Sequence, residues 1–481
     1  MYDVAIIGAG IIGTAIAYTL AKYEIKVVVI EKEDDVAKGT TRANSAIIHA
    51  GYDPKPGTLM AKTNVRGSIL WEELAASLGF EYKKVGSLVV SRTEEENKII
   101  EKLYDDGIAN GVKDLHILRN KEILEVEPNL KSDVCLALYA KTAAIVLPYQ
   151  SCIAFSEFAI RNGVDFFLNS PVDGIERTEE GYSITAGDHI VETKYIVNAA
   201  GLAAEDIHML AGGESFGSRA VKGEYYLLDR KHSSFVNTVV FQVPTSSGKG
   251  VLVSPTVHGN ILVGPTSMAE DDRDSTTVTA HGLDAVREQA SYLFDNIPFY
   301  DNIRNFAGNR AYIDLDDFLV KESDTLPNFI NLAGIKSPGL SSAPALAEEV
   351  IGILENLGLE LHEKEVINKY TYPINFSDLP EDKQEELLKE NPSYGRVICR
   401  CETVTEGDII NALSSPLTPP TISAVKRRVN VGMGRCQGGF CSVRVHEIIA
   451  NQRNIPLEDV TLDGNDSYIV YGDTKKGVPE L

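Results

Sequence analysis

The sequence predicts a mixed α/β and α+β fold: a Rossmann-like α/β domain interleaved with an antiparallel-sheet domain, and a small cysteine-bearing domain after them. Three observations carry this. A short apolar run from Tyr2 to Ile7 leads through Gly8-x-Gly10-x-x-Gly13 into a helical pattern, short strand-like runs crowd the middle third, and four cysteines gather between Cys399 and Cys441. A chain of 481 residues exceeds one ordinary core. The expected boundaries are 1–85, 145–215 and 300–361 for the Rossmann-like domain, and 86–144 and 216–299 for the antiparallel one. A polar linker over 362–393, the cysteine domain over 394–455 and a tail over 456–481 complete the chain.

The first elements form a βαβ unit: a buried parallel strand to Ile7, a helix from Ile11 to Lys22, and a second strand from Lys26 to Ile30 ending at Glu31. Gly8 permits the turn, Gly10 lets backbone approach a pyrophosphate, and Gly13 lets the helix pack on the strand. The helix N-terminus then offers N–H groups to an anion. Glu31 is spaced to accept from a ribose 2′-hydroxyl and disfavours a 2′-phosphate. On this motif alone NAD and FAD both remain open. The uncharged stretch from Val4 to Ala21 is accounted for by strand, turn and helix, so it is read as neither a signal nor a membrane span.

Later runs with strand texture are Ser87 to Ser91, Tyr195 to Asn198, Tyr225 to Leu228, Gly250 to Val253 and Asn260 to Val263. They suggest an antiparallel sheet distinct from the nucleotide-binding part. The segment from Ser342 to Leu357 reads as a helix. Lys plus Arg number 46 against 69 Asp plus Glu, a net charge of −23. A surface of that sign repels phosphate backbones and anionic lipid, so nucleic acid and direct membrane insertion are excluded as partners. The expected location is cytoplasmic, with any membrane association made through a partner subunit.

Cys135 and Cys152 are isolated among apolar residues and read as small buried hydrophobes. Cys399-x-Cys401 and Cys436-x4-Cys441 are different: two close pairs of soft ligands suit an iron-sulfur cluster or zinc. Zinc sites favour gaps of two to four residues within each pair, which a one-residue gap does not match. Glycines around Cys436 let N–H groups approach sulfur. Lys426, Arg427, Arg428 and Arg435 are expected to offset the charge of an anionic cluster.

Three separated segments resemble the D-amino-acid oxidase-like flavoproteins, a family that includes FAD-dependent glycerol-3-phosphate and L-2-hydroxyglutarate dehydrogenases and oxidases. They are Thr40-Thr-Arg-Ala-Asn-Ser-Ala-Ile-Ile-His-Ala-Gly51, Tyr195-Ile-Val-Asn-Ala-Ala-Gly201 and Ala333-Gly-Ile-Lys-Ser-Pro-Gly-Leu-Ser-Ser-Ala-Pro344. The resemblance covers residues 1 to about 360 and implies FAD rather than NAD. It implies FAD contacts at Gly8, Gly10, Ile12, Gly13, Glu31, Thr41, Asn44, Ser45, Ala46, Val172, Ala200 and Gly201. It further implies that Gly339, Leu340 and Ser341 run beside the isoalloxazine ring. The cysteine module resembles the bacterioferritin-associated-ferredoxin-like [2Fe-2S] domain, which implies cluster ligands at Cys399, Cys401, Cys436 and Cys441.

Dehydrogenating a secondary alcohol requires a hydride acceptor and a base near neutral pKa. His49 is the candidate base, with packing against the flavin as its alternative role. Ser45, His49, Lys249, Arg310 and Ser337 match positions that line the substrate cavity of glycerol-3-phosphate oxidases, the cations facing phosphate. Surface charge is the alternative reading for Lys249 and Arg310. Lys222 is expected to be structural and His258 to sit in a hairpin turn.

The activity implied is oxidation of sn-glycerol 3-phosphate to dihydroxyacetone phosphate, with electrons passing through [2Fe-2S] to a redox partner subunit or quinone rather than to dioxygen. The same cations would accept a 2-hydroxy acid such as L-2-hydroxyglutarate. An amine or opine oxidase subunit, and a relay subunit without a substrate base, are the further alternatives.

Overall fold

The computed structural model describes residues 1–244 and 250–472. Contacts divide the chain into two compact units, one of Met1–Lys32 with Val36–Thr371, the other of Glu33–Asp35 with Tyr372–Leu481.

The first unit contains two large sheets. One has eight strands, of which Asp165–Phe167 at one edge, Val27–Ile30, Tyr2–Ile7, His189–Asn198 and Phe329–Ala333 lie side by side and parallel. The strands Val27–Ile30 and Phe329–Ala333 are buried at every residue, as fully covered parallel strands must be. The apolar N-terminal stretch is the strand Tyr2–Ile7 and the helix Ile11–Leu20. Among the described residues no helix is long and apolar enough to cross a membrane. Tyr195 to Asn198, grouped from sequence with the antiparallel runs, is the parallel half of a ten-residue strand. Its other half, from His189, pairs antiparallel with Tyr182–Ala186.

The second sheet has nine strands, antiparallel except where Ser87–Ser91 runs parallel to Val239–Gln242. Side chains alternate between its faces with the period of two that strands impose. Val89, Leu138, Phe241 and Leu252 join one apolar core, while Leu88, Val90, Ala137, Val240 and Val253 join another on the opposite face. Ile100 and Leu103 of the helix Glu94–Asn110 cover the first face, and Val286 and Ala290 of Ala280–Ala290 the second. A boundary at residue 300 does not match this sheet. The strand Asn302–Tyr312 is antiparallel to the whole of Arg219–Leu228. Its sequence is too polar to advertise a strand, because it draws its order from that long partner.

In the second unit the helices Glu381–Glu390, Glu406–Leu413, Ile422–Val429 and Ser442–Arg453 are joined by a short hairpin, Val397–Cys399 with Val404–Thr405. Its core includes Cys399, Val404, Ile409, Val425, Cys441 and Ile449. The expected linker and tail both contribute here. Tyr372 Oη donates to the Arg428 carbonyl at 2.9 Å, and Val460 is fully buried in this core. Arg427 and Arg428 are both buried on Asp35, which receives Arg428 Nη2 at 2.9 Å and Arg427 Nη2 at 2.8 Å. Burial would raise that carboxyl, but the Arg428 and Arg427 guanidinia outweigh it and hold the pKa below the usual carboxylate range. The expectation that these two arginines offset cluster charge is corrected accordingly: they are engaged with a carboxylate almost four hundred positions earlier.

Candidate active site

Ligands of open α/β sheets bind beyond the carboxyl ends of the strands. Four neighbouring parallel strands end at Ile7, Ile30, Asn198 and Ala333, and directly after them come Gly8, Glu31, the turn at Ala200 and Gly201, and Gly334. Gly8 has φ +104°, and a Cβ there would stand 2.6 Å from the Ala199 carbonyl oxygen. A Cβ on Gly13 would stand 1.9 Å from the Gly8 carbonyl oxygen. Only glycines therefore permit this cradle. Glu31 accepts the Ala9 N–H at 2.6 Å, and its own carbonyl accepts from Ser170, which brings Val172 to the same strand ends. The helix beginning at Ile11 directs its first-turn N–H groups, including those of Ile12 and Gly13, toward the cradle without helical acceptors for them. A bare glycine cradle, a helix N-terminus and an acidic residue at the end of the second strand fit the pyrophosphate and ribose of FAD.

The segment from Thr40 to Gly51 joins this cradle to the other walls. Thr41 Oγ1 accepts the Ile11 N–H at 2.9 Å, and Thr40 Oγ1 donates to the Asn309 carbonyl at 2.7 Å. A Cβ on Gly308 would stand 1.9 Å from the Ala43 carbonyl oxygen, so segment and sheet touch backbone to backbone. Asn44 closes the turn, donating to the Thr40 and Thr41 carbonyls and accepting the Ala46 N–H at 2.8 Å. Ser45 Oγ lies 3.2 Å from Tyr225 Oη. Ser341 Oγ, in the first turn of the helix Gly339–Asn356, accepts the His49 N–H at 2.7 Å and donates to the Ile47 carbonyl at 3.3 Å. Asn64 Nδ2 donates to the His49 carbonyl at 2.6 Å, and Trp71 Nε1 to that of Leu340 at 3.0 Å.

His49 is thus anchored on both sides of its backbone. Its ring lies 5.8 Å from that of Phe241, beside a small, half-open pocket also lined by Tyr52, Asp53, Val89 and Gln242. Arg310 crosses Gly223 on the adjacent strand, with Nη2 3.2 Å from the Thr266 carbonyl. Ser337 is exposed just before that helix, and Lys336 Nζ sits 4.6 Å over the Tyr312 ring. Lys249 lies outside the described residues. Lys222 is buried in an ion pair with Glu270, as a structural lysine would be, and His258 faces Glu81 at 3.5 Å. Tyr225, Phe241, Gln242 and Asn64 were not singled out from sequence. Each comes from a strand or helix with nothing local to mark it.

In the second unit the thiols meet as two pairs. Cys401 Sγ is 3.7 Å from Cys436 Sγ, and Cys441 hydrogen-bonds Cys399. The bond from Cys441, helped by the N–H groups of Gly432, Glu402 and Cys401, pulls the Cys399 thiol down to about 5 against burial. The Phe440 N–H likewise draws Cys436 down, while Cys441 and Cys401, the donors within the two pairs, are pushed up. Two thiol pairs ringed by converging N–H groups fit a binuclear cluster with two anionic sulfur ligands per iron.

Comparison with known proteins agrees with both halves. Residues 3–352 match the model of the FAD dependent oxidoreductase family, and residues 397–451 that of the BFD-like [2Fe-2S] binding domain. A glycerol 3-phosphate dehydrogenase of Caloramator mitchellensis is 46% identical over 99% of this chain and 100% of its own length. The structure of L-alpha-glycerophosphate oxidase from Mycoplasma pneumoniae with FAD bound is 32% identical, with a TM-score of 0.74 over 78% of this chain and 99% of that one. The human mitochondrial L-2-hydroxyglutarate dehydrogenase is 31% identical over 57% of this chain and 62% of its length. The chain belongs to the FAD-dependent oxidoreductase family, in the group that includes the Caloramator dehydrogenase, and it couples an FAD-binding unit to a [2Fe-2S] domain.

Proposed function

We propose that the protein oxidises sn-glycerol 3-phosphate to dihydroxyacetone phosphate and delivers the electrons, through its second unit, to a partner protein or quinone instead of dioxygen. The observation that carries this is the end-to-end likeness to a glycerol 3-phosphate dehydrogenase, which spans the cysteine module as well as the flavin unit. When bound, FAD supplies a hydride acceptor for C2 of the substrate and the [2Fe-2S] cluster a one-electron relay.

The chain's own residues do the remainder. His49, fixed by Ser341 and Asn64, takes the proton from the C2 hydroxyl oxygen. Arg310 is assigned to the phosphate, with Lys249 beside it on the strength of the family resemblance. Ser45 orients the substrate, braced by Tyr225. Gly8, Gly10, Ile12 and Gly13 hold the pyrophosphate, Glu31 the ribose, and Thr41, Asn44, Ala46, Val172, Ala200, Gly201, Gly339, Leu340 and Ser341 the rest of FAD. The enzyme is assigned to the cytoplasm, and any membrane association runs through its redox partner.

Anaerobic mixing of the purified holoenzyme with glycerol 3-phosphate or L-2-hydroxyglutarate tests the substrate. Glycerol 3-phosphate is expected to bleach the flavin faster, and faster bleaching by the hydroxy acid would replace it. Rapid dioxygen consumption with stoichiometric peroxide would overturn the dehydrogenase half of the reading.

A further inference from the structure

The strand ends that form the glycine cradle are crossed by one more piece of chain. A loop leads from the strand Met268–Glu270 to the helix Ala280–Ala290, and it begins Asp271, Asp272, Arg273, Asp274, Ser275. Arg273 Nη2 pairs with Asp206 of the helix Ala204–Leu210 at 2.7 Å, and Nη1 donates at 3.1 Å to the carbonyl of Leu202, the residue after Gly201. Asp274 faces Lys32, the residue after Glu31, at 3.9 Å. Buried Asn309 donates Nδ2 to the carbonyls of Arg273 and Ser275 at 2.8 and 2.9 Å, and its own carbonyl accepts from Thr40.

The order of strands gives these contacts their meaning. Tyr2–Ile7 lies between His189–Asn198 and Val27–Ile30, and the turn at its end is the cradle. Leu202 comes after the strand on one side and Lys32 after the strand on the other, two strand spacings or about 10 Å away. Consecutive residues that reach to both sides carry the loop across the mouth of the cradle.

Electrostatics decides how such a loop acts. It holds three carboxylates against one guanidinium, so its net charge repels a pyrophosphate. Asp271, Asp272 and Asp274 are exposed, whereas Arg273 is half-buried and its charge is met first by Asp206, then by Asp274 and Glu205. Each of these latches joins protein to protein, so closure draws nothing from the cofactor. A cover that does not bind its ligand slows entry and exit alike and leaves affinity unchanged. The main latch is also one that opens: the Arg273 and Asp206 side chains are 39% and 51% exposed, which leaves the pair screened by water and salt.

We infer that residues 271–275 form a strap that gates FAD exchange, opening for the cofactor to enter or leave when Arg273 releases Asp206 and Leu202. This rests on the assignment of FAD to the cradle.

The test follows exchange of bound FAD for excess radiolabelled FAD in the full-length holoenzyme, with equilibrium dialysis for Kd. Arg273→Gln removes both contacts and should speed exchange roughly tenfold. Asp206→Asn removes the ion pair alone and should speed it about two- to fivefold. In both variants Kd should stay within about twofold of the parent, because entry quickens as exit does. Raising salt should speed exchange more in the parent than in Arg273→Gln. Exchange at the parental rate in both variants would overturn the inference. So would a Kd that rises in step with the exchange rate, since the loop would then bind FAD instead of gating it. Gly13→Ala checks the cradle separately: FAD retained by that variant faults the cradle assignment, whereas FAD lost there with unchanged exchange in the other two faults the strap alone.

Discussion

In the second unit the four thiols assigned to the cluster come from one stretch, Cys399 to Cys441, and N–H groups of the same stretch point at sulfurs there. In the first unit the site is a row of backbone turns at the ends of strands drawn from residues 2 to 333. The first kind of site fails when a ligand atom is changed. The second fails when an atom is added. The proposed substrate wall of the first unit fits neither description: His49 is assigned a side-chain role, yet its position rests on hydrogen bonds to its backbone from Ser341 and Asn64.

Cys399→Ser should show the contrast most strongly. It removes the most buried of the four paired thiols, so the cluster is expected to be lost outright, while FAD stays bound and glycerol 3-phosphate still bleaches it. Iron and sulfide analysis beside flavin absorbance measures both. Gly13→Ala is the converse: its methyl would meet the Gly8 carbonyl oxygen, so FAD should be lost while iron is retained. His49→Gln should keep both cofactors and slow anaerobic flavin reduction by roughly 10²- to 10⁴-fold, the usual worth of a general base. A rate near that of the parent would leave His49 a packing role only. Arg310→Leu, removing a charge-assisted contact, should lower kcat/KM for glycerol 3-phosphate by roughly 10- to 100-fold.

The smallest effect on chemistry belongs to Asp35→Ala, which leaves two arginines buried without their carboxylate. It should destabilise the second unit by about 3–5 kcal/mol and leave flavin reduction almost unchanged. The pH dependence has a definite sign. Because the folded pKa of Asp35 is depressed, its contribution is present above the unfolded value near 3.9 and is lost as pH falls through the folded one. Acid melting followed by cluster absorbance should therefore shift to higher pH in the variant.

What could be read from sequence follows the same division. Gly8, Gly10, Gly13 and Glu31 are legible because the strand, turn and helix that give them meaning are contiguous, and the cysteines because their spacing is their geometry. The strand Asn302–Tyr312 was assigned to the other domain because its order comes from Arg219–Leu228, not from its own pattern. Arg427 and Arg428 were misread for a similar reason, since nothing beside them announces Asp35. Phe241 and Gln242, which face His49 across the pocket, look like any strand residues until the sheet is assembled.

The interleaving of the first unit also imposes an order on synthesis. The strand Tyr2–Ile7 is among the first pieces to leave the ribosome, yet its parallel neighbour ends at Asn198 and the next strand at Ala333. The central sheet therefore cannot close cotranslationally until most of the unit has emerged, and its early strands spend that interval with unpaired edges. The cysteine module, local apart from Asp35, completes its fold soon after its last helix appears. A chain interrupted between these points would carry an exposed apolar sheet, the kind of surface that aggregates during elongation.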